Sequence, residues 1–286
     1  MKKNIKKLLL SLMTVALLGG ANVSRAGEKD TNIENQPVTA LEKIKTSVNP
    51  DEYPELAKFV ARYACPEDLA AKVQTVETNG FHRGDTFFLK GDDIDRLINA
   101  IRAKRVIKKY KLDNIAIADK YLGLNKNGSL TVVANKIQHG ESCRLSLSQV
   151  KDLTKFVEET GYRDWLSLDL INAPNNKLTF IDTEDGSFAV GMVHGNEKQG
   201  IPQNCKLIFF ANLSKALAKY MEKDAIDFLN VRHEQLVNNP EGKNPFAPIF
   251  KNTEYDDADI DFEKVKTEFY KYRESKYRAR KAHSRL

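Results

Sequence analysis

Apolar residues recur every three or four positions in several stretches of the chain, and this spacing predicts helices. One helix begins at Pro54, because proline is favoured in the first helical turn, and a second, short helix opens at Pro66. A long helix is predicted over 93–110, with Asp92 or Asp93 as its N-terminal cap. These three helices flank the first stretch in which strands are predicted.

Two further helices are predicted in the second half of the chain. Ser146 caps the first of them, which ends at Gly161, because glycine readily adopts the left-handed conformation that closes a helix. The second covers about 262–280 and carries an apolar stripe between its lysines and arginines, formed by Phe262, Val265, Phe269 and Tyr272. We expect this stripe to dock on the helical part of the chain.

Short runs of β-branched and aromatic residues, bounded by turn signals, predict strands. Residues 73–77 and 86–90 are predicted to form a hairpin, and the second of these strands ends in Lys90. Residues 115–118 and 130–137 are predicted to form two more strands, joined by the turn Asn-Lys-Asn-Gly. The strands therefore concentrate in the first half of the chain.

The order of these elements predicts an α+β fold in which a small β-rich part precedes a mostly helical part. We expect five segments: a signal peptide (1–26), an N-terminal extension with short helices (27–71), a β-rich part (72–140), a helical part (141–255) and a basic amphipathic C-terminal helix (256–286).

The first residues have the pattern of a secretory signal peptide. Four lysines precede an apolar run over 8–18, and small residues lead to a cleavage site that we place after Ala26, with Ala21 as the second choice. A membrane anchor is the alternative, but the apolar run is far shorter than the roughly 20 residues that span a bilayer. We therefore expect a secreted or periplasmic protein that keeps no transmembrane segment after cleavage.

Charge is distributed unevenly along the chain. The 286 residues carry a formal net charge of +6, but residues 1–26 hold five basic residues and no acidic one, which leaves 40 basic and 39 acidic side chains. Residues 264–286 then contain nine Lys or Arg and two Glu. This basic tail suggests an anionic partner, and a solvated terminal helix is the alternative. We expect no specific nucleic-acid partner.

The chain has three cysteines, Cys65, Cys143 and Cys205, and their spacing fits no zinc motif. Export to an oxidising compartment would allow one disulfide and leave one thiol. Three unpaired thiols are the alternative, and the sequence favours neither.

Three carboxylates in a hydrophobic setting form the clearest chemical pattern. Asp164 and Asp169 lie in Tyr-Arg-Asp-Trp-Leu-Ser-Leu-Asp, and Asp182 follows the apolar run 178–181. This spacing resembles that of the active-site residues of kinase-like phosphotransferases, in which one carboxylate orients the accepting hydroxyl while two oxygen ligands hold Mg²⁺ against the phosphates. We therefore assign Asp164 as the candidate catalytic residue and Asp169 and Asp182 as candidate metal ligands.

The chain resembles the protein-kinase-like family over roughly residues 72–240, in particular its divergent bacterial members. The matching features are Lys90 at the end of a strand, Tyr-Arg-Asp over 162–164 in place of His-Arg-Asp, and Ile-Asp-Thr-Glu over 181–184 in place of Asp-Phe-Gly. The resemblance implies a bilobal fold with a small β-rich N-lobe and a mostly helical C-lobe.

The resemblance also implies that ATP and Mg²⁺ bind between the lobes. Lys90 would bind the α and β phosphates, and Gly80 and Gly84 would lie in the loop that covers them. The linker after the last N-lobe strand would meet the adenine through backbone groups, with Asn135 and Ile137 as the candidate residues. The phosphate would pass to a hydroxyl of an unknown protein or small molecule.

Several features depart from the family pattern. The helix over 93–110 has no glutamate at its centre to pair with Lys90, the glycine loop is sparse, and Asp169 replaces an asparagine. Three functions therefore remain open: an exported kinase-like phosphotransferase, a catalytically degenerate kinase-fold binding module, and an exported α+β protein unrelated to kinases. The periplasm is expected to lack ATP, so the first would have to act elsewhere, such as in a host cell.

Overall fold

The computed structural model of the protein describes residues 38–78, 80–138, 140, 144–162, 170–173, 175–188, 218–238 and 249–283. They belong to one compact unit, Val38–Leu286, which has the expected α+β composition. The predicted signal peptide and its cleavage site lie outside the described residues, as do Cys143 and Cys205. Cys65 is a buried free thiol, and burial raises its pKa to about 12.

In chain order, the helices and strands are α1 (Ala40–Lys45), α2 (Pro54–Tyr63), α3 (Glu67–Val73), β1 (Phe81–Arg83), β2 (Phe87–Lys90), α4 (Asp95–Tyr110), β3 (Ile115–Ile117), β4 (Lys120–Leu124), β5 (Leu130–Asn135), α5 (Leu147–Thr160), β6 (Leu170–Asn172), β7 (Leu178–Phe180), α6 (Lys223–Asn238) and α7 (Phe262–His283). None of the described helices is long and apolar enough to cross a membrane.

An antiparallel sheet of four strands, in the order β1-β2-β5-β4, forms the β-rich part. The predicted turn over 125–128 joins its last two strands, and Gly128 adopts a positive φ of 69° there. The Asn125 side chain accepts a hydrogen bond from the Ser129 amide at 2.9 Å, which fixes the turn. The strand predicted over 115–118 is present as β3, but its predicted place in this hairpin was wrong, because β4 pairs with β5 there.

The strand β3 belongs instead to a second sheet. It pairs in parallel with β7, which pairs with β6, so this sheet joins residues from both halves of the chain. The predicted strand over 73–77 was also wrong, because Val73 ends α3 and packs against Leu89 and Val133 from there. The true partner of β2 is β1, which begins eight residues after Val73.

The helix α4 packs against the four-stranded sheet. Leu97, Ile98 and Ile101 share a buried cluster, the sheet core, with residues of β4 and β5 such as Leu122 and Val132. Its other face contributes to a second cluster, the helix core, through Ala100, Ala103 and Val106. A single helix thus supports both the sheet and the helical part.

The helix core is organised by α5, whose ends follow the sequence prediction. Ser146 and Gln149 form a reciprocal capping box at its start, and Gly161 closes it with φ 73°. Phe156 and Tyr162 pack against Phe180 of β7, with ring centroids 4.7 and 4.5 Å apart from it. These contacts hold the strand that precedes Asp182.

The helix α7 confirms the predicted C-terminal helix but not its docking surface. Phe262, Val265, Phe269 and Tyr272 are all buried, as their spacing predicts. They pack in the sheet core against α2 and α4, and not against the helical part of the chain as expected. The helical repeat identifies the buried face of a helix, but it does not identify the surface that covers it.

Candidate functional site

Two lysines project from one face of the four-stranded sheet. Phe88 of β2 lies opposite Ala134 of β5, and Ala134 lies opposite Lys120 of β4, so all three share a face. Lys90 follows Phe88 by two residues and therefore points to the same side. This face, which also packs against α4, is the candidate functional surface.

The half-buried Lys90 lies beside two aromatic rings. Its ammonium group is 5.9 Å from the centroids of both Phe81 and Phe88, whose rings stack at 6.0 Å. The ring of Phe81 is 66% exposed. Within the described ranges Lys90 forms no ion pair with a carboxylate, so a positive charge stands at an accessible apolar wall.

Lys120 is almost completely buried. Its ammonium group donates a hydrogen bond of 3.0 Å to the carbonyl of Ile181, the residue before Asp182. Burial lowers the pKa of Lys120 to about 7, and the nearby charge of Asp182 opposes this decrease. A lysine whose pKa is lowered and which lies near a carboxylate occurs both in functional sites and in structural ion-pair networks.

Asp182 is held by α4 rather than by Lys90. The guanidinium group of Arg96 forms ion pairs with Asp182 and with Glu184, and it lies 3.2 Å from a carboxylate oxygen of Asp93. The side chains of Arg96 and Asp182 are 17% and 18% exposed. Arg96, in the first turn of α4, is therefore the cation that pairs with this carboxylate.

The residues after Asp182 are fixed along α4. The hydroxyl of Thr183 donates to the Arg96 carbonyl at 2.5 Å, and Asn99 donates to the Thr183 carbonyl at 3.1 Å and to the Asp185 carboxylate at 2.7 Å. Burial raises the pKa of Asp185, although the bond from Asn99 opposes that change. The segment 181–185 is thus positioned through both a strand lysine and a helix.

Only one of the two candidate glycines lies between two strands, as expected. Gly84 lies in the turn between β1 and β2, where a Cβ atom would come within 2.8 Å of the Phe87 ring, so a larger residue would displace that ring. Gly80 is exposed and precedes β1, so it does not lie in a loop between two strands as predicted. Its amide hydrogen-bonds to the Thr78 hydroxyl at 3.0 Å.

The candidate adenine contacts lie at the end of β5. Asn135 is its last residue, and its amide already donates to the Asp119 carbonyl at 3.0 Å. Ile137 is half-buried two residues later, in the segment that leaves the sheet. Both residues thus lie where the chain leaves the C-terminal end of β5.

Asp164 and Asp169 lie outside the described residues, so the structure does not place them relative to Asp182. Among the residues that are described, no group of three or more His, Cys, Asp or Glu side chains is arranged to hold a metal ion. The predicted metal site would need both of these other carboxylates.

Sequence reasoning missed Lys120 and Arg96. The alternation of Lys120 with Leu122 and Leu124 could have shown that the lysine shares the buried face of a strand. Arg96 lies in the first turn of α4, where a positive charge opposes the helix dipole, so it needs a carboxylate from another element.

Comparison with protein-family models gives no match for this chain, and comparisons with curated proteins and with solved structures give none either. The function therefore has to be inferred from the residues of the site.

Proposed function

We propose that the chain is an exported kinase-like phosphotransferase that uses ATP and Mg²⁺ to phosphorylate a hydroxyl acceptor. The observation that carries the proposal is the convergence of the lysine-bearing sheet with the Asp182 segment. Lys120 bonds to the carbonyl of Ile181, and α4, which packs on the same face of the sheet, binds Asp182 through Arg96. This arrangement brings cationic groups for phosphates close to a carboxylate for a metal.

Each group has a role in this proposal. Lys90 binds the phosphates, the exposed ring of Phe81 covers the apolar side of the nucleotide, and Lys120 positions Asp182 through the preceding carbonyl. Asp182 and Asp169 hold Mg²⁺ through carboxylate oxygens, which are the ligands that this hard cation prefers. Asp164 orients the acceptor hydroxyl, and the bilobal kinase-like arrangement is part of the same proposal.

Nucleotide binding tests this proposal through thermal and chemical stability. ATP with Mg²⁺ at a hundredfold excess over its dissociation constant should stabilise the protein by about 2.7 kcal/mol. Lys90→Gln should reduce this gain, and Asp182→Asn should abolish its dependence on Mg²⁺. Lys58→Gln, an exposed lysine of α2 paired with Glu55, is the matched control and should change nothing.

Phosphate transfer separates binding from chemistry. Asp164→Asn should retain the stabilisation by ATP and Mg²⁺ but lose transfer of labelled phosphate, because its proposed role is to orient the acceptor. Equal transfer by the wild type and by Asp164→Asn would exclude this assignment.

A second function is favoured by one observation, the pairing of Asp182 and Glu184 with Arg96. This guanidinium neutralises the carboxylate that a metal would need, as expected of a degenerate kinase-fold binding module. In the phosphotransferase, Arg96 has to release Asp182 when the metal binds. In the degenerate module, Arg96 stays in place and the site binds no metal nucleotide.

The variant Arg96→Gln distinguishes these two functions. If the protein is a phosphotransferase, the wild type responds to ATP with Mg²⁺, and the variant responds at a lower Mg²⁺ concentration because the competing cation is gone. A wild type that shows no response at millimolar nucleotide, together with a variant that gains one, would identify the degenerate module. Lys104→Gln, which removes an exposed cation of the same helix, is the control.

A further inference from the structure

A cavity of about 510 Å³ lies along α7, apart from the lysine surface of the sheet. Residues of α7 form most of its wall, and Asp92 after β2 and the start of β5 at Ser129 and Leu130 complete it. Its lining combines cations with aromatic rings, so both its charge and its shape restrict what can bind.

The charges that line this cavity do not balance. Arg273 pairs with Asp92 at 2.6 Å, and Glu274 is paired with Arg278, so these four charges compensate each other. Arg280 donates hydrogen bonds to the Asn127 carbonyl and to the Ser129 hydroxyl, and both of these oxygens are neutral.

Lys276 is exposed and lies 5.3 Å from the centroid of the Tyr272 ring. No carboxylate of the described residues forms an ion pair with it. The cavity therefore presents two positive charges, those of Lys276 and Arg280, and no acidic side chain in the described part of the chain forms an ion pair with either of them.

The remaining lining is apolar and aromatic. Phe269 and Leu130 are buried at the base, and Tyr277 is 67% exposed at the rim. Tyr270 is anchored by a hydrogen bond of 3.0 Å from its hydroxyl to Asp95. Rings of this kind bind a planar apolar body, while cations at the rim bind its charged group.

We propose that this cavity is a binding site for a small organic anion in which a phosphate group is attached to an aromatic body. Lys276 and Arg280 bind the phosphate, and Tyr277 packs against the aromatic part. The site does not depend on the proposed phosphotransferase activity, because none of its lining residues belongs to the nucleotide surface around Lys90.

The probe for this site is 1-naphthyl phosphate, added to the purified protein in titration calorimetry. Lys276→Gln should weaken binding about fivefold or more, as expected for the loss of one partly solvated charge contact. Lys271→Gln, an exposed lysine of the same helix outside the cavity, should leave the affinity unchanged. 1-Naphthol and inorganic phosphate should each bind much more weakly than the probe, because each carries only half of the recognised groups.

Three results would overturn the inference. The first is no binding of the probe at millimolar concentration, and the second is equal affinity of Lys276→Gln and Lys271→Gln. The third is loss of binding in Lys90→Gln with no effect of Lys276→Gln, which would place the probe on the nucleotide surface. Melting temperatures of all variants, measured by circular dichroism, show that each affinity refers to folded protein.

Discussion

Lys120 combines almost complete burial with a charge that the protein only partly compensates. Burial disfavours the ammonium form and lowers the pKa of Lys120 to about 7, and the positive charges of Lys90, Arg96 and Lys104 contribute in the same direction. The carbonyl of Ile181 accepts a hydrogen bond from this group, and Asp182 is the nearby charge that favours it. A buried amine at such a position lowers the stability of the folded state while it is charged.

Replacement of Lys120 by Met should therefore stabilise the protein in a pH-dependent way. The folded-state pKa of about 7 lies below the unfolded value of roughly 10.4, so the lysine destabilises the fold most below pH 7. This penalty declines by up to about 1 kcal/mol per pH unit as the pH rises from about 7 towards 10.4. Denaturant unfolding of wild type and Lys120→Met at pH 6.5 and pH 9 measures the difference.

The advantage of the Met variant should be larger at pH 6.5 than at pH 9. A stability difference that is the same at both pH values would show that Lys120 titrates normally and that its burial does not perturb it. Lys126→Met, at a side chain that is 58% exposed and pairs with Glu77, serves as the control for the loss of an exposed lysine charge.

At the scale of elements, α4 is tied to the residues before α7 by a buried ion pair. Arg102 is 0% exposed, and its guanidinium group binds Asp256 through bonds of 2.6 and 3.0 Å. Glu263 lies 3.3 Å from the same group, and the ring of Phe262 packs against it. Because a buried charge is costly without its partner, this contact couples the position of α4 to the C-terminal helix.

Asp256→Ala should lower the free energy of unfolding by about 3 kcal/mol, because the Arg102 charge remains buried after its main partner is removed. Asp259→Ala is the matched control from the same segment, since the Asp259 side chain is 64% exposed and pairs with the exposed Arg62. It should cost less than about 1 kcal/mol in the same urea titration. Equal losses of unfolding free energy in the two variants would mean that burial of the Arg102–Asp256 pair does not increase its contribution to stability.

Local signals allowed several elements to be predicted from the sequence. Ser146 and Gly161 fix both ends of α5 through contacts within a few residues, and the turn at Gly128 is equally local. The strand β4 was missed because Lys120 interrupts its apolar pattern. The cost of burying this ammonium group is partly offset by a hydrogen bond to the carbonyl of Ile181, 61 residues away. Long-range partners of this kind leave no periodic signal in the sequence.

At the scale of the whole molecule, the C-terminal helix completes the core of the N-terminal part. Phe262 packs edge to face against Phe59 at 5.4 Å, and the Leu56 amide donates to Glu268 at 2.8 Å. The sequence predicted which residues of α7 are buried but placed them on the wrong surface. The surface on which α7 packs depends on shape complementarity and on ion pairs between residues far apart in the sequence, such as that of Lys266 with Asp95.

The candidate site was predicted in part by the same logic. Lys90 ends the predicted strand over 86–90, and Asp182 follows the apolar run over 178–181, most of which forms β7. Arg96 and Lys120 were not expected, because their partners are Asp182 and a backbone carbonyl that only the folded chain brings near. The central claim is therefore that Asp182 exchanges Arg96 for a nucleotide-bound metal.

Anomalous diffraction from crystals grown with Mn²⁺ and a non-hydrolysable ATP analogue tests that claim most directly. We predict a manganese peak at bonding distance from the carboxylates of Asp182 and Asp169, with the phosphates beside Lys90 and with Arg96 released from Asp182. A structure at millimolar nucleotide in which Asp182 remains paired with Arg96, with no metal beside it and no nucleotide on the lysine face of the sheet, would contradict the proposed function.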